Sequence, residues 1–308
     1  MNASLSSATT TRKRRNFAEH AAKYIVTACG IFTILVVCSI AVYMVVSGTP
    51  ALFQVGVTDI LFGTVWEPKG NPAQFGILYV ILTSLVGTAA AVVLAVPVGV
   101  LTAVYIAEMA KPAAVNTIRN AIGVLAGIPS VIFGLMGLMV LNPLMYQLEQ
   151  VVFRNDPSHQ FTGGANLLST VIVLAIMILP TVINISEFAL RSIPVAVRNA
   201  SRAVGATEIQ TIFHVLLPAA KSGIIMAVVL GTGRAIGEAM AISLVSGSAV
   251  NAPLPFNSVR FLTTAVVQEM GYASGLHREV LFTIGLVLFV FIMVINVILT
   301  KVLKRGEA

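Results

Sequence analysis

An all-α polytopic membrane protein with six transmembrane helices is the fold class this sequence predicts, on three observations. Hydrophobic residues make up 57% of its 308 residues and charged residues only 10%. With a mean hydropathy of +0.94, a soluble chain of this size could not hide its apolar surface under a polar coat. The apolar residues gather in runs long enough to cross a hydrocarbon core of about 30 Å, which takes roughly 20 residues of helix. The basic residues lie on alternate connecting segments, the pattern of the positive-inside rule.

Residues 1–23 form a basic tail with Arg12-Lys13-Arg14-Arg15. The apolar run behind it, about 24–46, is too long for a signal peptide and has no obvious cleavage site, so it reads as a retained first span. The tail is then a topology signal, with contact to anionic lipid as the other reading. The remainder, 24–308, is one transmembrane domain. Cys29 and Cys38 both lie in the first span. Nine helical residues separate them by roughly 13 Å, too far for a disulfide, and they read as small buried residues. The outside loop 47–75 carries Trp66, suited to the membrane interface.

Span two, about 76–107, is rich in Gly and Ala and contains Pro97. A short inside loop holds Lys111 and Arg119. In span three, about 121–146, Gly123, Gly127, Gly134 and Gly137 thin the surface for a close neighbour, and Pro129 bends or breaks the helix. Asp156-Pro157 and Gly163-Gly164 turn the outside segment 147–165. Span four, about 166–188, contains Pro180 and ends near Glu187, which with Arg191 reads as a surface pair. The inside loop 189–221 is unusually long. Span five is about 222–247. The outside loop 248–279 holds an amphipathic helix near 258–270, with Arg260 and Glu269 available to a partner outside. Span six, about 280–300, runs into Lys301, Lys304 and Arg305. Of the 19 Lys and Arg, only Lys69, Arg154, Arg260 and Arg278 fall outside and Arg234 within a span. Both termini are therefore expected in the cytoplasm.

Two stretches suggest chemistry. In the long inside loop, Ala200, Ala203, Val204 and Ala206 alternate with charge at helical spacing, and Ile209, Ile212, Phe213, Leu216 and Leu217 make a second stripe. Two short helices, about 195–217, joined at Gly205 would suit docking to a groove in a soluble partner. An ordinary loop packed on its own spans is the other reading. Pro218 opens the next span, as proline does in a first helical turn. In span five, Arg234 and Glu238 are four apart and would share a helix face, with Gly233 and Gly237 beside them. Such residues face a bundle interior or a water-filled path. They read either as a buried ion pair locking the span to its neighbours or as a contact for a charged solute.

His20, His159, His214 and His277 are scattered without metal-ligand spacing, so no metal site or cofactor is expected. No G-x-x-x-x-G-K-[ST] loop is present, and no nucleophile and base stand together. The chain is expected to be non-catalytic, with any ATP hydrolysis on separate subunits.

The inside loop resembles the coupling motif of ABC importer permeases, E-A-A-x-x-x-G, nine residues, then I-x-L-P. Gly205 is followed by nine residues and then Val215-Leu216-Leu217-Pro218, while Asn199-Ala200-Ser201 stands where Glu-Ala-Ala is usual. From about 50 to 300 the chain resembles the phosphate-specific ABC importer permeases, the PstC-type subunit among them. Phe75-Gly76-Ile77-Leu78, Val96-Pro97-Val98-Gly99, the run Leu125 to Leu135, Ile178-Leu179-Pro180, Ser186 to Arg191 and the run Gly233 to Ala241 carry the resemblance. It implies the type I ABC importer permease fold in a bacterial or archaeal cytoplasmic membrane. It also implies a coupling role for Asn199, Ala200, Ser201, Gly205, Ala206, Leu217 and Pro218, and a place on the substrate path for Arg234 and Glu238. The implied partners are a second, PstA-like permease, a dimer of ATPase subunits and an extracytoplasmic phosphate-binding protein. A gradient-driven secondary anion transporter, or an ABC permease for sulfate or molybdate, is the alternative.

Overall fold

The computed structural model describes the backbone of residues 3–306 and the side chains of residues 22–298, 300 and 301. The side chains of the basic tail, Arg12 to Arg15 included, lie outside the described residues. The chain is a helical bundle with one small antiparallel hairpin, β1 (Trp66–Glu67) against β2 (Gln74–Phe75). Its helices are α1 (Ala3–Val55), α2 (Val57–Phe62), α3 (Leu78–Val104), α4 (Pro112–Gly127), α5 (Ser130–Met136), α6 (Asn142–Val152) and α7 (Leu167–Arg191). There follow α8 (Val195–Ala203), α9 (Glu208–Thr211), α10 (Leu217–Ala219), α11 (Lys221–Gly237), α12 (Met240–Val245), α13 (Leu262–Glu269) and α14 (Gly275–Gly306).

Five stretches are long and apolar enough to cross a membrane: Ala22–Val55, Leu78–Met109, Ser130–Val152, Leu167–Arg191 and Gly275–Ile298. A sixth is the pair Glu208–Ala219 and Lys221–Gly237, bent by 67° at its break. The central helix is α7, which packs against both α3 and α11. It is apolar on nearly every face, as a helix surrounded by others must be. Its start is fixed by Asn166, whose Oδ1 accepts the Ser169 N–H at 3.0 Å.

The third span lies further along the chain than the 121–146 expected. Ile128 is extended (φ −70°, ψ 126°), because the residue before a proline is disfavoured in the helical region. Pro129 thus ends α4, and the span is built from α5 and α6. Of the four glycines expected to thin this span, Gly134 and Gly137 do so: a Cβ there would stand 2.7 Å from the Ala241 Cα or 2.5 Å from a Val245 methyl, whereas Gly123 and Gly127 face open space. The two cysteines are exposed on α1, not buried. Residues 22–40 of α1 are exposed.

Three π-helical turns interrupt the bundle, at Tyr105–Met109, Gly137–Leu141 and Ile212–Leu216. Each is followed within three residues by a proline (Pro112, Pro143, Pro218). At the far end of the bundle, Asp156 opens a turn. The Ser158 hydroxyl (2.6 Å) and N–H (3.0 Å) donate to its carboxylate and hold it below the usual carboxylate range.

Candidate functional site

Arg234 and Glu238 do not share a helix face. The helix α11 ends at Gly237, and Glu238 is extended (φ −73°, ψ 131°). No proline causes this break; hydrogen bonds across it do. The Glu238 Oε1 accepts the Ala241 N–H at 2.9 Å, serving the first turn of α12 as a cap. The Glu238 carbonyl, which a continuous helix would use internally, accepts the Thr263 hydroxyl of α13 at 2.7 Å. The ion pair between Arg234 and Glu238, one of the two readings of their spacing, is not made. Arg234 is exposed in the last turn of α11, where the partial negative charge of the helix C-terminus favours a cation. Among the described residues it has no hydrogen-bond or salt-bridge partner, and the Glu238 Oε2 accepts no hydrogen bond.

The surroundings of Arg234 are open. Ala227, Gly231, Thr232, Ala235 and Ile236 are the buried face of α11. The opposite stripe, Met226, Leu230, Gly233, Arg234 and Gly237, is uncovered, and a Cβ on Gly233 or Gly237 would meet nothing within 4 Å. This stripe therefore combines an unpaired guanidinium with space beside it. Arginine presents a planar fork of donors that matches tetrahedral oxyanions.

At the end of the bundle that carries most of the basic residues, two short helices flank Gly205, whose φ is +85°. This left-handed conformation suits glycine and turns the chain from α8 into α9. Ser201 Oγ lies 2.9 Å from Thr211 Oγ1 across that turn. Thr207 and Gln210 form a reciprocal capping box at the start of α9. Asn199, Ala200 and Pro218 are exposed, Ser201 is buried, and Ala206 and Leu217 are half-buried. Val195, Val204, Ile209 and Phe213 are all at least half exposed, with Val204 at 85%. The segment thus shows apolar surface that the chain itself does not cover. Replacing Gly205 by alanine should cost about 1–2 kcal/mol of backbone strain, since the new Cβ would meet nothing within 4 Å. The expected outcome is a lower thermal-unfolding midpoint of the purified protein, largely restored by Gly205→Asn, which tolerates this conformation.

Beneath this segment lies a charged cluster of which sequence reading found only the Glu187–Arg191 pair. Glu187 is 5% exposed, not a surface residue. Its carboxylate receives Arg191 Nε at 2.7 Å and Arg119, from α4, through Nε at 3.0 Å and Nη2. Arg191 Nη2 also donates to the Ile106 carbonyl at 3.0 Å. Arg198, in α8, grips Glu108 in the π-helical turn after α3, from Nη2 at 2.7 Å and Nε at 3.1 Å. At the opposite end, Arg260 and Glu269 are occupied within the chain. Glu269 is buried and accepts from Arg260 Nη1, from Trp66 Nε1 (3.1 Å) and from His277 Nε2 (2.7 Å). Trp66 is half-buried against Phe75 and His277.

The bundle leaves the stripe around Arg234 and the apolar residues Val195, Val204, Ile209 and Phe213 uncovered by the chain itself. Its architecture is that of the type I ABC importer permeases. A bacterial alginate ABC transporter, solved with an alginate-bound periplasmic protein, contains a chain that overlays with a TM-score of 0.65 at 15% identity, covering 92% of this chain and 94% of that one. The MetNI methionine ABC transporter, in inward-facing form, gives 0.52 at 21% identity over 75% and 94%. The chain belongs to the binding-protein-dependent transport system inner membrane component family, whose model matches residues 95–306. Its relatives include the probable ABC transporter permease protein YqgH of Bacillus subtilis (strain 168), 36% identical over 294 residues and 92% of each chain. The phosphate transport system permease protein PstC of Xylella fastidiosa (strain 9a5c) is 31% identical over 94% of this chain and 91% of that one. PstC of Pasteurella multocida (strain Pm70) is also 31% identical, over 80% and 81%.

Proposed function

We propose that this chain is the permease subunit of an ATP-driven importer for inorganic phosphate. The observation that carries the reading is Arg234, an unpaired guanidinium on an uncovered stripe beside a break in a membrane helix. The phosphate names of several relatives support the choice of anion. The uncovered stripe of α11 would be completed by a second, PstA-like permease, so that the path runs between the two. Val195, Val204, Ile209 and Phe213 would seat an ATPase subunit on the coupling segment. An extracytoplasmic phosphate-binding protein would deliver at the opposite end. The coupling segment and both termini then lie in the cytoplasm, on the side favoured by the basic residues.

In this reading, closure of the ATPase dimer on ATP draws the 195–218 segment with it and rocks the spans. Arg234 attracts the anion. Glu238 has one oxygen committed to α12 and the other free, and it tempers the affinity so that the anion can leave as well as enter. Phosphate near neutrality carries at least one proton, which a carboxylate can accept as a hydrogen bond; sulfate carries none.

The test is uptake of phosphate, with sulfate as control, in cells lacking their own high-affinity system. The chain is supplied with and without its ATPase and second permease. Uptake that needs every component is the expected result. Uptake by this chain alone, abolished by a protonophore but not by ATPase inactivation, would overturn the reading. Glu238→Gln isolates the role of the charge, because a glutamine oxygen can still cap α12. It should lower the preference for phosphate over sulfate by about tenfold, the worth of one charge-assisted hydrogen bond. Unchanged preference in a competition assay would sink the role given to Glu238.

A further inference from the structure

We propose that Glu108 and Arg198 form an ionic clasp that carries the displacement of the coupling segment into the membrane spans. Arg198 is thus a positioning residue for transport. The proposal rests on the coupling role given above to residues 195–218. Three observations support it.

Arg198 uses its whole guanidinium on two other elements. Nε and Nη2 hold the Glu108 carboxylate at 2.7 to 3.2 Å. Nη1 donates to the Ile193 carbonyl at 2.6 Å and Nη2 to the Leu190 carbonyl at 2.8 Å. Leu190 is in the last turn of α7 and Ile193 lies just beyond it, so one side chain of α8 is tied at once to the π-helical turn after α3 and to the end of α7. Both partners are shielded, with 15% of the Arg198 side chain and 8% of the Glu108 side chain exposed. Solvent therefore screens the pair little.

Glu108 lies in the π-helical turn Tyr105–Met109. The same turn offers its Ile106 carbonyl to Arg191, which Glu187 holds together with Arg119. The turn is thereby fixed to α7 from two directions. This turn ends its helix, since Ala110 is extended (φ −76°, ψ 141°), and side chains from α7 and α8 hold that end in place.

The apolar packing underneath cannot do this alone. Val104, Ile106, Leu190, Ile193, Ile212 and Leu216 share one core with the start of α11. Apolar contacts are non-directional and permit sliding. A forked guanidinium on a carboxylate fixes direction as well as distance. The clasp makes α8 and the inner ends of α3 and α7 move as one body, so a pull on the coupling segment tilts the spans.

The assembled complex in proteoliposomes provides the test, with Glu108→Gln, Arg198→Lys and the charge-swapped Glu108→Arg/Arg198→Glu. Phosphate delivered per ATP hydrolysed is read, together with complex recovery. In a complex otherwise free of cysteine, a spin-label pair on Met109→Cys and Arg202→Cys reads the distance between the π-helical turn and α8. The expected result is that both single variants assemble and hydrolyse ATP but deliver about tenfold less phosphate per ATP, a coupling loss of ordinary size. The label distance should stay fixed on ATP addition in the parent and change in the single variants. The swap should regain part of the coupling. Equal falls in transport and hydrolysis, an unchanged ratio, or failure of all three variants to assemble would overturn the clasp and leave it a fold-holding contact. Absence of phosphate transport by the parent would overturn the substrate assignment alone, and the label distances would still decide the clasp.

Discussion

Replacing Arg234 by alanine is expected to abolish phosphate uptake while leaving the complex intact. The two halves of that result have separate causes. Arg234 is exposed and makes no hydrogen bond or ion pair among the described residues, so its removal strands no partner and creates no cavity. Yet it is the one basic residue on the uncovered stripe of α11. Two charge-assisted hydrogen bonds to an anion are worth about 1.5–3 kcal/mol each, so transport should fall by roughly two to four orders of magnitude. Arg234→Lys keeps the charge and loses the fork, and should retain an intermediate rate. Initial uptake rates, with recovery of the purified complex alongside, measure both. A buried locking pair would give the opposite signature, with lost complex and no separate effect on transport.

Glu269→Ala is expected to produce the largest loss of stability in the chain. The carboxylate is 5% exposed and is shared by Arg260, Trp66 and His277. Truncation leaves a largely buried guanidinium, an indole N–H and an imidazole without their acceptor. Removing one partner of a buried charged pair costs about 3–5 kcal/mol. Three elements would loosen together, since β1, α13 and α14 meet at this side chain. Glu269→Gln keeps an acceptor and should cost less. Thermal unfolding of the detergent-solubilised complex ranks the two. Near-parental stability of the alanine variant would mean that water replaces the carboxylate, and that this end of the bundle is wet.

The membrane spans could be read from the sequence because an apolar run of sufficient length has few alternatives. Gly205 could be read as a turn because a residue without Cβ stands between two apolar stripes of helical spacing. The break at Glu238 could not. The sequence around it, Ala-Ile-Gly-Glu-Ala-Met-Ala, has no proline, and the bonds that hold it open come from a side-chain cap and from Thr263, 25 residues on. Four-residue spacing suggested one face, but the tertiary hydrogen bond prevailed over the local period. The shift of the third span had a visible signal in Pro129, though not one that tells which side of the proline enters the membrane. The charged cluster had almost none. Glu108 and Arg198 are 90 residues apart, and Arg119 and Glu187 are 68 apart. Charges at the ends of spans ordinarily mark a water boundary, so nothing local distinguished these as buried partners.

Trp66 is the sole tryptophan of the chain, and it sits with its indole N–H on Glu269 and its ring edge-on to Phe75 and His277. With excitation at the red edge, where indole absorbs and the six tyrosines do not, the emission of the isolated chain therefore arises from one joint, where the hairpin, α13 and α14 meet. The molecule carries its own optical probe at the end opposite Gly205. A disturbance of that joint can be followed by its colour and yield without any label being attached.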